Sequence, residues 1–295
     1  MKQIVMPFLL LGTMLVSCKK EHDKIQQTYS LDKIKSDLSL INEQNKPKYN
    51  PAAWSFKKFC AIFTADVGGA WAGSWAGGKI GGAVGSLIPG AGTAAGASAG
   101  AVAGAVVVGA AASYAASYTA VPVGTDPKTY DKVLKADIDL ILDEPGNNPY
   151  YEIVGKRHNE LLKQNLVINR GSTGSTISEL YNTCSLLDNE SIFLAEGRDI
   201  TDYTYNLLQN DNNPDELKRM LALKIDNGLV LTIANSFVDG AYATNNSDEA
   251  IRLTNEYERY VNSLQGISPL EKQTLFSGFA VAKYSSKFWS QIMLE

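Results

Sequence analysis

The chain is poor in the residues that most sites of chemistry need. In 295 residues it has three cysteines and two histidines. Cys18, Cys60 and Cys184 form no C-x-x-C pair, and His22 and His158 lie far apart, so no ligand set for a Cys/His zinc site is on offer. A lysine-ended phosphate loop, a G-x-S-x-G elbow, an H-E-x-x-H pair and a calcium loop are all missing. The glycine/serine stretch at 171–178 lacks both the closing lysine and a preceding strand. Basic charge is also short: 27 Lys and Arg stand against 31 Asp and Glu, and nothing in that balance points to nucleic acid, which wants a basic face. No run of alternating β-branched residues marks a strand. One further absence is local. From Ile80 to Thr125 there is no charged residue.

Glycine fills that uncharged region on a regular beat. Gly69, Gly73, Gly77, Gly81 and Gly85 are each four apart, and Gly92, Gly96, Gly100 and Gly104 resume the step after Pro89–Gly90. Four residues overshoot a helical turn by about 40°, so each row makes a shallow oblique groove. Such a groove admits a second backbone at close range. The spacing predicts an antiparallel helical hairpin, 66–88 against 92–118, turning at Pro89–Gly90.

Two readings of the hairpin stay open. The first arm, at 1.5 Å per residue, is roughly 34 Å long, enough for a bilayer core. Trp71 and Trp75 sit near the base of one arm and Tyr114 and Tyr118 near the base of the other, as an interfacial belt would. These features predict insertion into a membrane or its perforation, with membrane lipid as the partner. Against them, Lys79 falls at mid-arm, where a cation costs about 3 kcal/mol, and the Gly/Ala arms are weakly apolar. The alternative is a packed core or oligomerisation element, meeting a protein partner or a second copy of the chain.

The start of the chain has the layout of an export signal: Lys2, an apolar stretch from Ile4 to Val16, then small residues. The apolar stretch is too short to span a bilayer. Its end, "LVSC" (15–18), resembles the lipobox of bacterial lipoproteins. That resemblance implies cleavage before Cys18 and a diacylglyceryl group on it, hence a lipid-anchored protein of the cell envelope. Glu21 and Asp23 resemble surface-export signals of Bacteroidota lipoproteins and point to the outer membrane; "NPYYEIVGKRHNELL" (148–162) adds to a general likeness to uncharacterised lipoproteins of that group. The two glycine beats with Pro89–Gly90 resemble the glycine-zipper hairpins of bacteriocins, toxins and envelope proteins. A lipid anchor departs from the usual bacteriocin pattern.

The expected architecture is all-α: a Gly/Ala-rich antiparallel hairpin plus a C-terminal multi-helix domain. Residues 1–17 are the signal peptide, 18–64 a lipidated tether with short helices, 65–120 the hairpin, 121–127 a linker and 128–295 an acidic all-α domain. Residues 19–60 carry nine Lys against five acids; residues 126–295 carry 16 basic against 25 acidic residues. Helix starts are signalled at Asp126–Pro127, Asn148–Pro149, Asn213–Pro214 and Ser268–Pro269, the last two with Glu at the third helical position. Tyr257, Val261 and Leu264 share one helix face, as do Phe276, Phe279, Phe288 and Ile292. His158 lies at helical spacing with Tyr151, Val154, Leu161 and Leu162, which predicts a buried, hydrogen-bonded imidazole, with Asn159 and Glu160 as surface or capping groups. Scattered carboxylates such as Asp137, Asp139, Asp143 and Glu144 read as solvated faces. Cys60 and Cys184 are either separate thiols or one disulfide. No constellation calls for catalysis, a metal or a cofactor.

Overall fold

The computed structural model describes residues 30–46, 54–87, 93–121, 126–138, 149–169 and 214–294. Nine helices run through them: α1 (Leu31–Asn45), α2 (Trp54–Leu87), α3 (Thr93–Ala120), α4 (Pro127–Lys135), α5 (Pro149–Asn169), α6 (Pro214–Lys224), α7 (Gly228–Ala241), α8 (Ser247–Ser263) and α9 (Pro269–Met293). The fold is all-α, and the described residues contain no strand.

Local chemistry sets the helix starts. Ser30, Asp126, Asn227, Asn246 and Ser268 each accept a backbone N–H of the first turn on a side-chain oxygen. Ser268 and Glu271 complete a reciprocal capping box, with Pro269 at the first helical position. Asn148, Asn213 and the Pro89–Gly90 turn lie outside the described residues.

α2 is one continuous helix of 34 residues, so the aromatic stretch before the glycines is not a separate element. Each of its glycines weakens an isolated helix by about 1 kcal/mol relative to alanine. Tertiary packing offsets this. Phe59, Phe63, Trp71 and Trp75 of α2 are buried, each large side chain contributing about 1.5–3 kcal/mol by area.

The last helix is the centre of the molecule. Nineteen of the 25 residues of α9 are buried, and α2, α3, α5, α7 and α8 pack around it. α1 lies across α7 and α8, where Asn42 donates to the Ser236 carbonyl at 2.8 Å and accepts from Tyr257 Oη at 2.9 Å. Two apolar clusters are shared between the hairpin and the helices that follow it. One apolar cluster joins Ile34 and Leu38 of α1, Trp71 of α2, Phe237 of α7, Tyr257 of α8 and Phe279 of α9. A second joins Phe59 of α2, Ala110 of α3, Leu162 of α5 and Trp289 of α9. The hairpin is therefore the inner wall of both clusters. An apolar helix pair must cover its surface somewhere, and here protein covers it.

Candidate functional site

α2 and α3 mesh glycine to glycine. A Cβ on Gly73 would overlap the carbonyl oxygen of Gly104, one on Gly100 that of Gly77, and one on Gly81 that of Gly96. Gly69 continues the row against the Val108 carbonyl and Ala112. The register steps four residues up one arm and four back along the other. Gly69, Gly73, Gly77, Gly81, Gly96, Gly100 and Gly104 thus line one interlocked seam. Gly85 lies within α2, but its surroundings, like Gly92 and Cys18, are outside the described residues.

The aromatics expected at an interface are inside the protein. Trp71 is fully buried. Its indole N–H donates to the Leu275 carbonyl at 3.2 Å, and its ring meets Phe237 and Phe279 edge-on at 5.3 and 5.7 Å. It lies on Gly278 of α9, where a Cβ would overlap the indole, so the close approach of α2 and α9 depends on that glycine. Trp75 and Tyr114 are buried too. The side chain of Tyr118 is outside the described residues. This differs from an interfacial belt because the face carrying Trp71 turns toward α7 and α9 and not outward.

Lys79 does not sit in an apolar environment. It is half-exposed, and its Nζ lies 2.6 Å from Asp226 Oδ2 and 5.3 Å from the centre of the Trp75 ring. Asp226 also accepts the Trp75 indole N–H at 2.7 Å. The Lys79 ammonium, ahead of the indole, holds the Asp226 carboxyl below its ordinary range.

Two buried polar groups line the hairpin. Asp66 of α2 is fully buried. It accepts from Ser285 Oγ and, at 3.1 Å, from the Trp289 indole, which shares its N–H with Ser113 Oγ of α3. Burial pushes its carboxyl up to about 8 against the pull of these donors. Its Oδ1 has no hydrogen-bond partner among the described residues, which suits a neutral acid. His158 of α5 is buried, as its spacing predicts, with its ring against Gly109 of α3. Asn159 is buried as well, contrary to the surface role expected of it. Its Nδ2 donates to the Tyr284 carbonyl at 3.0 Å, which turns Oδ1 toward His158 Nδ1 at 3.1 Å and places the ring proton on Nδ1. Burial pushes the imidazole down to about 4.

A third group, Lys283 of α9, meets Glu258 of α8 at 3.0 Å, both buried. Desolvation raises the Glu258 carboxyl, opposed by the Lys283 charge. Sequence reasoning missed the connections of all three clusters. The signal was present for Asp66 and Lys283: each is an ionisable residue flanked by apolar residues in its helix.

Cys60 is a buried free thiol that donates to the Ala241 carbonyl at 3.8 Å; Cys184 lies outside the described residues. No group of three His, Cys, Asp or Glu among the described residues is placed to hold a metal ion. One described segment, Gly96–Ser117, is long and apolar enough to cross a membrane, and 83% of its most apolar window is buried in the protein.

The fold and its centre thus define a class in structural terms: an all-α protein wrapped around a glycine-zipper hairpin. Comparison with family models, with curated proteins and with solved structures gives no match.

Proposed function

We propose that this protein is a lipid-anchored component of the bacterial cell envelope, a non-enzymatic binding or scaffolding module in which the hairpin is the structural core. Cys18 carries the lipid, and the basic segment after it is a tether. The observation that carries the core role is Trp71, held between α2, α7 and α9 by one hydrogen bond and two ring contacts. Asp66 supports it, since its three donors on α3 and α9 tie both arms to the central helix. A hairpin so fastened stabilises the body rather than perforating a bilayer. The excess of acids over bases in residues 126–295 disfavours nucleic acid as the bound partner.

The test uses the full chain and a Cys18→Ala variant expressed in a bacterium with a lipoprotein pathway. Metabolic labelling with a palmitate analogue marks the wild type and spares the variant. Carbonate washing releases the variant from membranes while the wild type stays, and neither form makes liposomes leak dye. Leakage, or a variant that resists carbonate, would return the hairpin to the role of a membrane-inserting element.

A further inference from the structure

Buried hydroxyls on the hairpin and on α9 follow two patterns. Thr64 of α2 donates to the Cys60 carbonyl at 2.7 Å, Ser117 of α3 to the Tyr114 carbonyl at 2.8 Å, and Ser290 of α9 to the Lys287 carbonyl at 2.9 Å. Each is satisfied within its own helix, the local recourse of a helical Ser or Thr. Ser74 of α2 and Thr274 and Ser277 of α9 break this pattern. All three are fully buried, and none of their hydroxyls meets a partner among the described residues.

The three stand at one level. Trp71 of α2 lies on Gly278 of α9, and Gly78 of α2 lies on Leu270, so the two helices run antiparallel. Ser74 is midway between Trp71 and Gly78, level with the stretch of α9 that holds Thr274 and Ser277. α3 closes the third side, where a Cβ on Gly78 would lie 3.5 Å from that of Ala101. A fourth polar group joins them from the neighbouring residue. Gln273 is 7% exposed; its Oε1 accepts from Ser98 Oγ of α3 at 3.1 Å, and its Nε2 has no partner among the described residues.

Polar atoms buried without partners are costly, and native interiors leave few of them. Here four fall together where three helices meet, and the side chains at that level are too short to satisfy one another. The chemistry of the four selects what completes them. The Gln273 amide nitrogen only donates, which repels a cation. No charged side chain faces the level to balance an anion. Each hydroxyl can donate once and accept as well. Water does both, and a buried water needs about two to four polar partners.

We propose that ordered water bridges the hairpin to α9 at this level, held by Ser74 Oγ, Thr274 Oγ1, Ser277 Oγ and Gln273 Nε2. The α2–α9 interface is then wet between two dry contacts, Trp71 on Gly278 and Leu270 on Gly78. Part of the hold that α9 has on the hairpin passes through solvent.

Two measurements on the full chain test this. The first is a crystal structure at a resolution that orders internal water. The expected result is a water within hydrogen-bond reach of Gln273 Nε2 and of at least two of the three hydroxyls. Hydroxyls turned onto the carbonyls of Ala70, Leu270 and Gln273, or water that touches fewer than two of them, overturns the bridge. The second is the urea midpoint of Thr274→Val, which keeps the shape of the side chain and removes its hydroxyl. A bridging water then loses a partner, and the midpoint falls. A midpoint that rises or stays means that the hydroxyl was dry, and the proposal fails.

Discussion

The carbonyl oxygen of Gly77 occupies the space that a side chain on Gly100 would need. Backbone meets backbone there, so the seam between α2 and α3 has no flexible group that can move aside. Gly100→Ala gains up to about 1 kcal/mol of helix propensity and forces the arms apart, at a cost typical of overpacking, about 1–3 kcal/mol or more. The net effect is destabilisation. Gly100→Ile is worse. Gly82→Ala meets Ala97 at 3.4 Å, an ordinary contact, and is tolerated. Thermal unfolding followed by circular dichroism ranks the three; an unchanged midpoint for Gly100→Ile would dismiss the interlocked seam. Gly109, off the beat, falls between Gly100 and Gly82, since a Cβ there would lie 3.1 Å from the His158 ring and 3.3 Å from Ala70, contacts that a shift of a few tenths of an ångström relieves.

Asp66 and His158 oppose each other as pH changes. The Asp66 carboxyl is raised to about 8 by burial, so its stabilising contribution is complete below its unfolded value near 3.8 and is lost as pH rises through 8. The His158 imidazole is lowered to about 4 by burial, so its contribution is complete above its unfolded value near 6.5 and is lost as pH falls toward 4. Each slope is about 1.4 kcal/mol per pH unit. Between about pH 4.5 and 6 the slopes of these two groups cancel. Between pH 7 and 8 Asp66 acts alone, and stability falls as pH rises. Urea midpoints at pH 5, 6, 7 and 8 measure this, and Asp66→Asn should abolish the alkaline fall while exposing the acid slope of His158.

The buried pair of Lys283 and Glu258 is sensitive to one-sided change. Lys283→Met leaves Glu258 without its counter-charge in a desolvated site, and breaking such a pair costs about 3–5 kcal/mol. Adding Glu258→Gln removes the stranded charge and recovers part of that loss. A double variant no more stable than Lys283→Met, by urea unfolding at pH 7, would contradict the pairing.

Lys79 and Asp226 are mostly exposed, and an ion pair of that kind contributes less than about 1 kcal/mol. Lys79→Leu should change stability by no more than that and leave liposome co-sedimentation of the Cys18→Ala form as it was. Asp226→Ala costs more, because the Trp75 indole N–H loses its acceptor as well. Equal losses from the two variants would argue against the shared carboxylate.

Cys60 should resist thiol reagents in the native state. It is buried, and burial pushes its thiol up to about 12, so almost no thiolate forms at neutral pH. In a Cys184→Ser background a chromogenic disulfide should label it only as fast as the protein unfolds. Rapid labelling without denaturant would place Cys60 at the surface.

What the sequence made legible was local. The four-residue glycine beat, the Asp126 cap, the Ser268–Glu271 capping box and the burial of His158 all follow from residues within about two helical turns of each other. What it hid was long-range. Asp66 and Ser285 are 219 residues apart, and Lys79 and Asp226 are 147 apart. Asn159 sits beside a buried histidine, and only the position of Tyr284 decides that it faces inward. Trp71 shows the same limit. Its place near the base of an arm suits lipid or protein equally, and the choice is made by α7 and α9. The apolar clusters shared by the hairpin and the later helices were hidden for the same reason.

The central position of α9 governs the order in which the molecule can be assembled. α2 and α3 are neighbours in the chain, and elements so close associate within microseconds. Their cover arrives much later: the Trp71–Leu275 and Asp66–Trp289 contacts bridge 204 and 223 residues. Closing loops of that length makes folding slow relative to local pairing. During synthesis the hairpin thus passes through an interval in which the side carrying Trp71 lacks the cover that α9 supplies.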